Sequence, residues 1–333
     1  MKKILIAGFV FLVALSAAQA QKLTGAGSTF DNPIFTKWFA EYSAAHPGVE
    51  INYQSIGSGG GIRQVTSGLV EFGATDVPAT DEQLAGSRNK LVHIPVVLGA
   101  VVPIYNVPGI TDLKFSPGVL ADLYLGKIVN WNDPLIAKDN PGEHLPNLKI
   151  IVVHRSDGSG TTFIWTDYLS KVSPDWLNGP GRGPSPAWPA GVGGKGNDGV
   201  AGLVRQLPGT IGYVELIYAL QNHIASGAVQ NAAGTWVKAS IEGVSEAAAS
   251  IKQLPADFRI SITNAPGKDA YPISSFSWIL APVKCPDEAK GKVLKDLLSW
   301  VVVSGQSEAA SLSYAPLPKS VADQVLKTVY SLQ

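Results

Sequence analysis

Cysteine is almost missing from this 333-residue chain, where Cys285 stands alone. No internal disulfide can therefore staple the fold, whatever the redox state of its surroundings. Set in "LAPVKCPDEAK" with no histidine or acid motif around it, that thiol reads as a strand-end residue without chemistry. Histidine is scarce as well. The five residues, at 46, 93, 144, 154 and 223, form no pair with glutamate at helical spacing and no cluster with cysteine, so the sequence offers no metal site. Neither charge dominates, with 26 basic and 26 acidic residues, and nothing in that balance points to a nucleic-acid partner.

Apolar runs long enough to span a bilayer are also lacking, and the N-terminus carries "ILIAGFVFLVALSAAQA" behind "MKK". That run is too short for a membrane span with its flanks and fits a secretory signal ending in a small-x-small site. A cut after Ala20 makes Gln21 the mature start, and glutamine rather than cysteine there gives no cue for a lipid anchor. Loss of Lys2 and Lys3 leaves 24 basic residues against 26 acidic ones. An exported, soluble chain is expected.

What remains, about 310 residues, is enough for two domains, since single cores stop growing near that length. No internal repeat is visible. The only biased segment, "NGPGRGPSPAWPAGVGGKGNDG" at 178–199, reads as a long loop of the kind that is functional or mobile. Elsewhere short β-branched or apolar runs alternate with helix-period segments, the pattern of a mostly parallel sheet with helices on its faces. "NPIFTKWFAEYSAAHPG" predicts a helix, with Ile34, Trp38 and Tyr42 spaced four apart and a stop at Pro47 and Gly48. "VEINYQSIG", "FGATDV" and "FSWILAP" predict strands, and two helices follow the last of these. The run "LVHIPVVLGAVVPIYNV" from Leu91 to Val107, with Pro95 inside it, is longer than one strand needs and reads as a strand that leaves one domain and enters another. Trp131, Trp176, Trp188 and Trp236 read as packing or loop anchors.

Three strand ends run through glycine and hydroxyl residues into a helix: "GAGSTFDNP" (25–33), "IGSGGGIRQV" (56–65) and "RSDGSGTTF" (155–163). Each sets free backbone N–H groups and Ser or Thr at the positive end of a helix, a setting that favours an anion. Capping alone explains any one of them; three in one chain point further. None is a nucleotide loop, because no Gly-Lys pair has both the upstream glycine and the following hydroxyl of a Walker motif. "DGSGT" also fails as a nucleophile elbow, with Asp157 and Thr161 where glycines belong.

"LTGAGSTF", "NYQSIGSGGGI", "FGATDVPATDEQL", "LYLGKIVNWND", "RSDGSGTTFIWTDYL", "GGKGNDGVAGLV", "LPGTIGYVE" and "YAPLP" together resemble, in order and spacing, the periplasmic phosphate-binding proteins of bacterial high-affinity phosphate ABC transporters (the Pst system). The resemblance covers essentially the whole mature chain. It implies an α/β, type II periplasmic-binding-protein fold: two α/β domains with mixed, mostly parallel sheets joined by a two-segment hinge. Residues 21–95 and 272–333 would form domain I and 96–271 domain II, after a signal peptide at 1–20. The first crossover would be the Pro95 run and the second would lie near "NAPGKDAYPISSF". The resemblance also implies a periplasmic location, inorganic phosphate as ligand, membrane permease subunits as partners, a monomer, no cofactor and no catalysis.

Carried over by the same resemblance, the phosphate ligands fall on Thr29 and Phe30 (backbone and hydroxyl donors), Ser58, Asp76, Arg155, Ser159, Gly160 and Thr161. Ser28, where relatives often have alanine, takes a backbone role. Asp157 would hold the Arg155 guanidinium. Phosphate at neutral pH keeps a proton and sulfate does not, so Asp76 would accept a hydrogen bond from the first and repel the second. Read without the resemblance, Asp76 is a strand-end turn residue and Arg155 with Asp157 a surface pair of little weight. Three rivals remain at this level: a hydrolase with Ser159 as nucleophile, a binding protein for another oxyanion, and an adhesion or matrix role added to phosphate binding.

Overall fold

The computed structural model describes residues 21–333. The expected signal peptide and its cut after Ala20 lie outside the described residues. Twelve strands appear in chain order: β1 (Gln21–Gly27), β2 (Val49–Ser55), β3 (Phe72–Thr75), β4 (Leu91–Tyr105), β5 (Lys114–Phe115), β6 (Ile151–Arg155), β7 (Val192–Gly194), β8 (Thr210–Glu215), β9 (Ala225–Ser226), β10 (Ala228–Gln230), β11 (Trp236–Val237) and β12 (Ser274–Pro282). One sheet runs β2-β1-β3-β12-β4-β8-β6-β7, with β9 on β4, and a small sheet runs β11-β10-β5. Among the described residues no helix is long and apolar enough to cross a membrane.

The expected α/β architecture is present and the main sheet is mixed. Its wings pair in parallel, β1 with β2 and β3, and β6 with β7 and β8, each through a helical connection. The antiparallel pairs of the main sheet all involve β4 or β12. The run that looked too long for one strand is a single strand of 15 residues, because two partners share it. Leu91 to Ala100 pair with β12, and Val101 to Tyr105 pair with β8. Pro95, which has no N–H to give, faces Trp278 beside a register shift between Ser277 and Trp278, the kind of irregularity where sheets admit proline.

Local sequence explains the neighbouring helices. Asn32–Ala45 carries Pro33 in its first turn and buries Ile34, Trp38 and Tyr42 on one face. The Trp38 indole donates to the Gly305 carbonyl at 2.7 Å, so its polar atom is satisfied inside the core. Trp131 and Trp176 are fully buried packing residues, as expected, and Trp188 stacks on His154. The Gly/Pro-rich loop ends earlier than its composition predicts: β7 and the start of helix Gly196–Gln206 lie within 178–199.

Candidate functional site

All three glycine-hydroxyl segments open helices: Asn32–Ala45 after β1, Ser58–Thr66 after β2, and Gly160–Val172 after β6. The fold brings them together. Gly59 N donates to Gly158 O at 2.9 Å, joining the second segment to the third. A Cβ on Gly160 would stand 2.5 Å from both Asp76 Oδ2 and Ser58 Oγ, so only glycine admits so close an approach. Gly57 has a φ of 85° and faces Asp157 in the same way, a Cβ there lying 2.3 Å from Oδ2. Ser28, Thr29, Phe30, Ser58, Asp76, Arg155, Ser159, Gly160 and Thr161 are all buried around this junction.

Capping accounts for only one of the three starts. Ser159 Oγ accepts from Thr162 N at 3.0 Å as an ordinary N-cap, whereas Asp31 and Gly57 cap the other two helices with no side-chain bond. Ser58 Oγ accepts from Asp76 N at 3.2 Å, Thr29 Oγ1 from Asn197 Nδ2 at 2.8 Å, and Thr161 Oγ1 from the same amide at 3.2 Å. Four hydroxyls thus accept from protein groups; none of the four makes a donor bond of good geometry to a described residue, although Ser58 lies near enough to Asp76 to help hold its charge. A hydroxyl in that state has its hydrogen left to give. Gly160 and Thr161 lie in the first turn of their helix, where amides lack intrahelical partners.

Ser28 bonds through its side chain, in addition to the backbone role expected of it. Its hydroxyl donates to Asp76 Oδ1 at 2.5 Å and accepts from Phe30 N at 2.9 Å, which also commits the Phe30 amide. Asp76 Oδ1 has a second donor in Ser277 Oγ at 3.0 Å, while Oδ2 is buried with no partner among the described residues. Burial pushes the Asp76 carboxyl up to about 6, against the hydrogen bonds of Ser28 and Ser277 and the attraction of Arg155.

Arg155 and Asp157 are no surface pair. Side-chain exposure is 1% for Arg155 and 14% for Asp157. The guanidinium grips the carboxylate in a two-pronged bond, Nε to Oδ1 at 2.8 Å and Nη2 to Oδ2 at 2.6 Å, leaving Nη1 buried without a partner among the described residues. Gly196 N adds a bond to Asp157 Oδ1 at 3.0 Å. Burial works against this carboxylate's charge, but the Arg155 bonds and charge outweigh it and hold its pKa below the usual aspartate value.

Sequence reasoning missed Asn197, Ser277, Asp31 and the tyrosines 218 and 314. Asn197 ties the first segment to the third and accepts from Glu215 N at 3.0 Å. It opens a helix behind "GGKG", the same glycine signal that marked the other three segments. Tyr218 and Tyr314 each donate at 2.5 Å, to Thr29 O and Phe30 O, and fix that loop. Ser277 had no local signal.

A model of the PBP superfamily domain matches residues 13–304. The phosphate-binding protein PstS of Xylella fastidiosa (strain Temecula1) is 47% identical over 307 residues, 91% of this chain and 84% of that protein. The protein of the same name from Pasteurella multocida is 43% identical over 97% of this chain and 94% of its own length. An X-ray structure of a phosphate-binding protein from Stenotrophomonas maltophilia overlays with a TM-score of 0.69 at 19% identity, across 92% of this chain and 94% of that one. That overlay speaks for the fold. Sequence kinship over nearly the full length settles the family: the chain belongs to the PstS phosphate-binding proteins.

Proposed function

We propose that this protein captures inorganic phosphate in the chamber between the three helix starts and delivers it to the permease subunits of a membrane ABC transporter, acting in the periplasm as a monomer. The observation that carries this reading is a pair of buried polar atoms without partners, one from each charge: Asp76 Oδ2, an acceptor, and Arg155 Nη1, a donor. A single guest that satisfies both must accept from a guanidinium and also give a hydrogen to a carboxylate. Protonated phosphate does both; sulfate at neutral pH offers only acceptors. Facing sulfate, Asp76 would be a buried charge without a donor, a penalty on the order of several kcal/mol.

Thr29, Ser58, Ser159 and Thr161 supply hydroxyl hydrogens in this reading, and the opening amides of Gly160 and Thr161 add the helix dipole. Ser28 and Phe30 act together, the serine steadying Asp76 and the phenylalanine amide steadying the serine. Residues 21–95 with 272–333 and residues 96–271 would form two lobes that close on the ligand about β4 and β12. The change of partner along β4 between Ala100 and Val101 supports a crossing slightly beyond Pro95. The bonded Ser159 Oγ, an acceptor for Thr162 N, favours capture over a hydrolase.

Calorimetric titration of the mature protein with phosphate, arsenate and sulfate tests the reading. Phosphate and arsenate, which both carry protons at neutral pH, are expected to bind, and sulfate is not. Comparable uptake of sulfate, or turnover of a chromogenic phosphate ester, would overturn it.

A further inference from the structure

The hydrogens around Ser277 cannot be assigned if every nearby acid is ionised. Ser277 Oγ lies 2.5 Å from Asp31 Oδ2, 3.0 Å from Asp76 Oδ1 and 3.2 Å from Thr75 O. With both acids charged, all three are acceptors, and a hydroxyl has one hydrogen to share among them. If that hydrogen goes to Asp31, Asp76 faces an oxygen lone pair. If it goes to Asp76, the close contact with Asp31 sets two lone pairs against each other. A proton on Asp31 Oδ2 removes the conflict. Asp31 is also turned away from the amides of the helix it caps, and its Oδ1 is buried without a partner, a position far less costly for a neutral acid than for a carboxylate.

On the phosphate-binding reading above, we propose that Asp31 is a positioning residue that stands as a neutral acid. Its Oδ2–H donates to Ser277 Oγ, and Ser277 gives its own hydrogen to Asp76 Oδ1. Asp76 is thereby held charged in one orientation, with Oδ2 turned to the ligand. The groups that face Asp31 agree with this. Asp76 brings negative charge, Glu215 a second buried acid, Tyr53, Tyr218 and Tyr314 bring phenols, and Arg155, which attracts Asp76, is itself held by Asp157. Burial and the neighbouring Asp76 push the Asp31 carboxyl well above the ordinary range. Glu215 is likewise raised by burial, so the experiment must assign the proton residue by residue.

Infrared difference spectra of the full mature protein at neutral pH do so. The wild-type minus D31N spectrum is expected to carry the C=O stretch of a protonated carboxyl; carboxylate bands in its place would overturn the proposal. D31A, which gives Ser277 no donor, is expected to weaken phosphate binding by up to about tenfold, the upper end for one neutral hydrogen bond, and D31N, whose amide can donate, to recover most of it. Equal losses in the two variants would count against a donor role. Should D31N fail to fold, the wild-type minus D76N spectrum decides: carboxylate bands fit, and a protonated C=O stretch places the proton on Asp76 and refutes the assignment. A wild type that takes up no phosphate overturns the functional reading instead, while the infrared bands still settle the proton on Asp31.

Discussion

Asp76 and Asp157 are both aspartates withdrawn from solvent near Arg155, yet their surroundings move them in opposite directions. Asp157 has two guanidinium bonds and the Gly196 amide, and its charge is favoured. Asp76 is supported on one oxygen by two serine hydroxyls, and burial lifts it to about 6. The contrast lies in how donors are shared out. Arg155 commits two of its three nitrogens to Asp157, so its charge is largely answered before any ligand arrives. On the proposed reading, an incoming anion would then be held mainly by dipoles, the hydroxyl hydrogens and first-turn amides, and would be met by an acid that accepts from a proton-bearing guest.

The harshest way to break this contrast is Arg155→Ala. It strips Asp157 of its fork and removes Nη1 from the chamber, and phosphate binding should fall by about 2–5 kcal/mol, the range for truncating one partner of a buried charge pair. The melting temperature should drop too, because Asp157 is left partly buried with only the Gly196 amide and its local backbone bond. Arg155→Lys should recover little, since a single ammonium cannot reproduce the two-pronged contact. Calorimetry beside a melting curve checks both. A loss smaller than about threefold would mean that the pair is decoration.

Asp76→Asn should act on selectivity before affinity. Phosphate can still donate to an amide oxygen, while sulfate can now accept from the amide nitrogen, so the phosphate-to-sulfate ratio is expected to collapse by about ten- to hundredfold, worth one hydrogen bond to a charged group. The wild type should show the same trend with pH. As pH falls through about 6, Asp76 takes up a proton and becomes a donor, and its rejection of sulfate weakens. Stability has its own signature. The folded carboxyl holds its proton to a higher pH than the unfolded one, so across the interval from the ordinary aspartate value of 3.8 up to about 6 the ligand-free protein loses stability as pH rises. Asp76→Asn should flatten that slope, as seen in melts across the interval; a slope that persists would assign it to another acid.

How much of this was legible in the sequence follows from where each signal sits. The helix starts announced themselves because glycine, serine and a following apolar period are local, and all three segments meet at one buried junction. Asn197 carried the same mark and was passed over only because it followed a loop rather than a recognised strand. Only the length of β4 was illegible, since it is set by β12, which pairs with its first part from far along the chain. Ser277 belongs to the same class. Nothing in "FSWILAP" distinguishes an inward serine from a structural one; the register shift beside Trp278 places it between two carboxylates. The family blocks supplied Asp76 and Arg155, whereas the side-chain bonds of Ser28 to Asp76 and from the Phe30 amide had no local signal.

Ser28→Ala therefore sharpens the comparison most finely, although its effect should be the smallest. The Ser28 hydroxyl donates to Asp76 Oδ1 at 2.5 Å, and this bond is the strongest of the influences holding the Asp76 carboxyl down against burial. Removing it leaves Ser277 as the one hydroxyl on that oxygen and frees the Phe30 amide. Phosphate affinity should change by no more than about tenfold, since the lost hydrogen bond is partly offset by an amide newly able to reach the ligand. The pH at which sulfate rejection fades should move upward from about 6, because the charged form of Asp76 has lost a donor. Competition titrations of phosphate against sulfate at several pH values would locate that midpoint. A midpoint that moves downward would show that Ser28 serves Phe30 rather than Asp76, and that the acid side of the chamber is held by Ser277 alone.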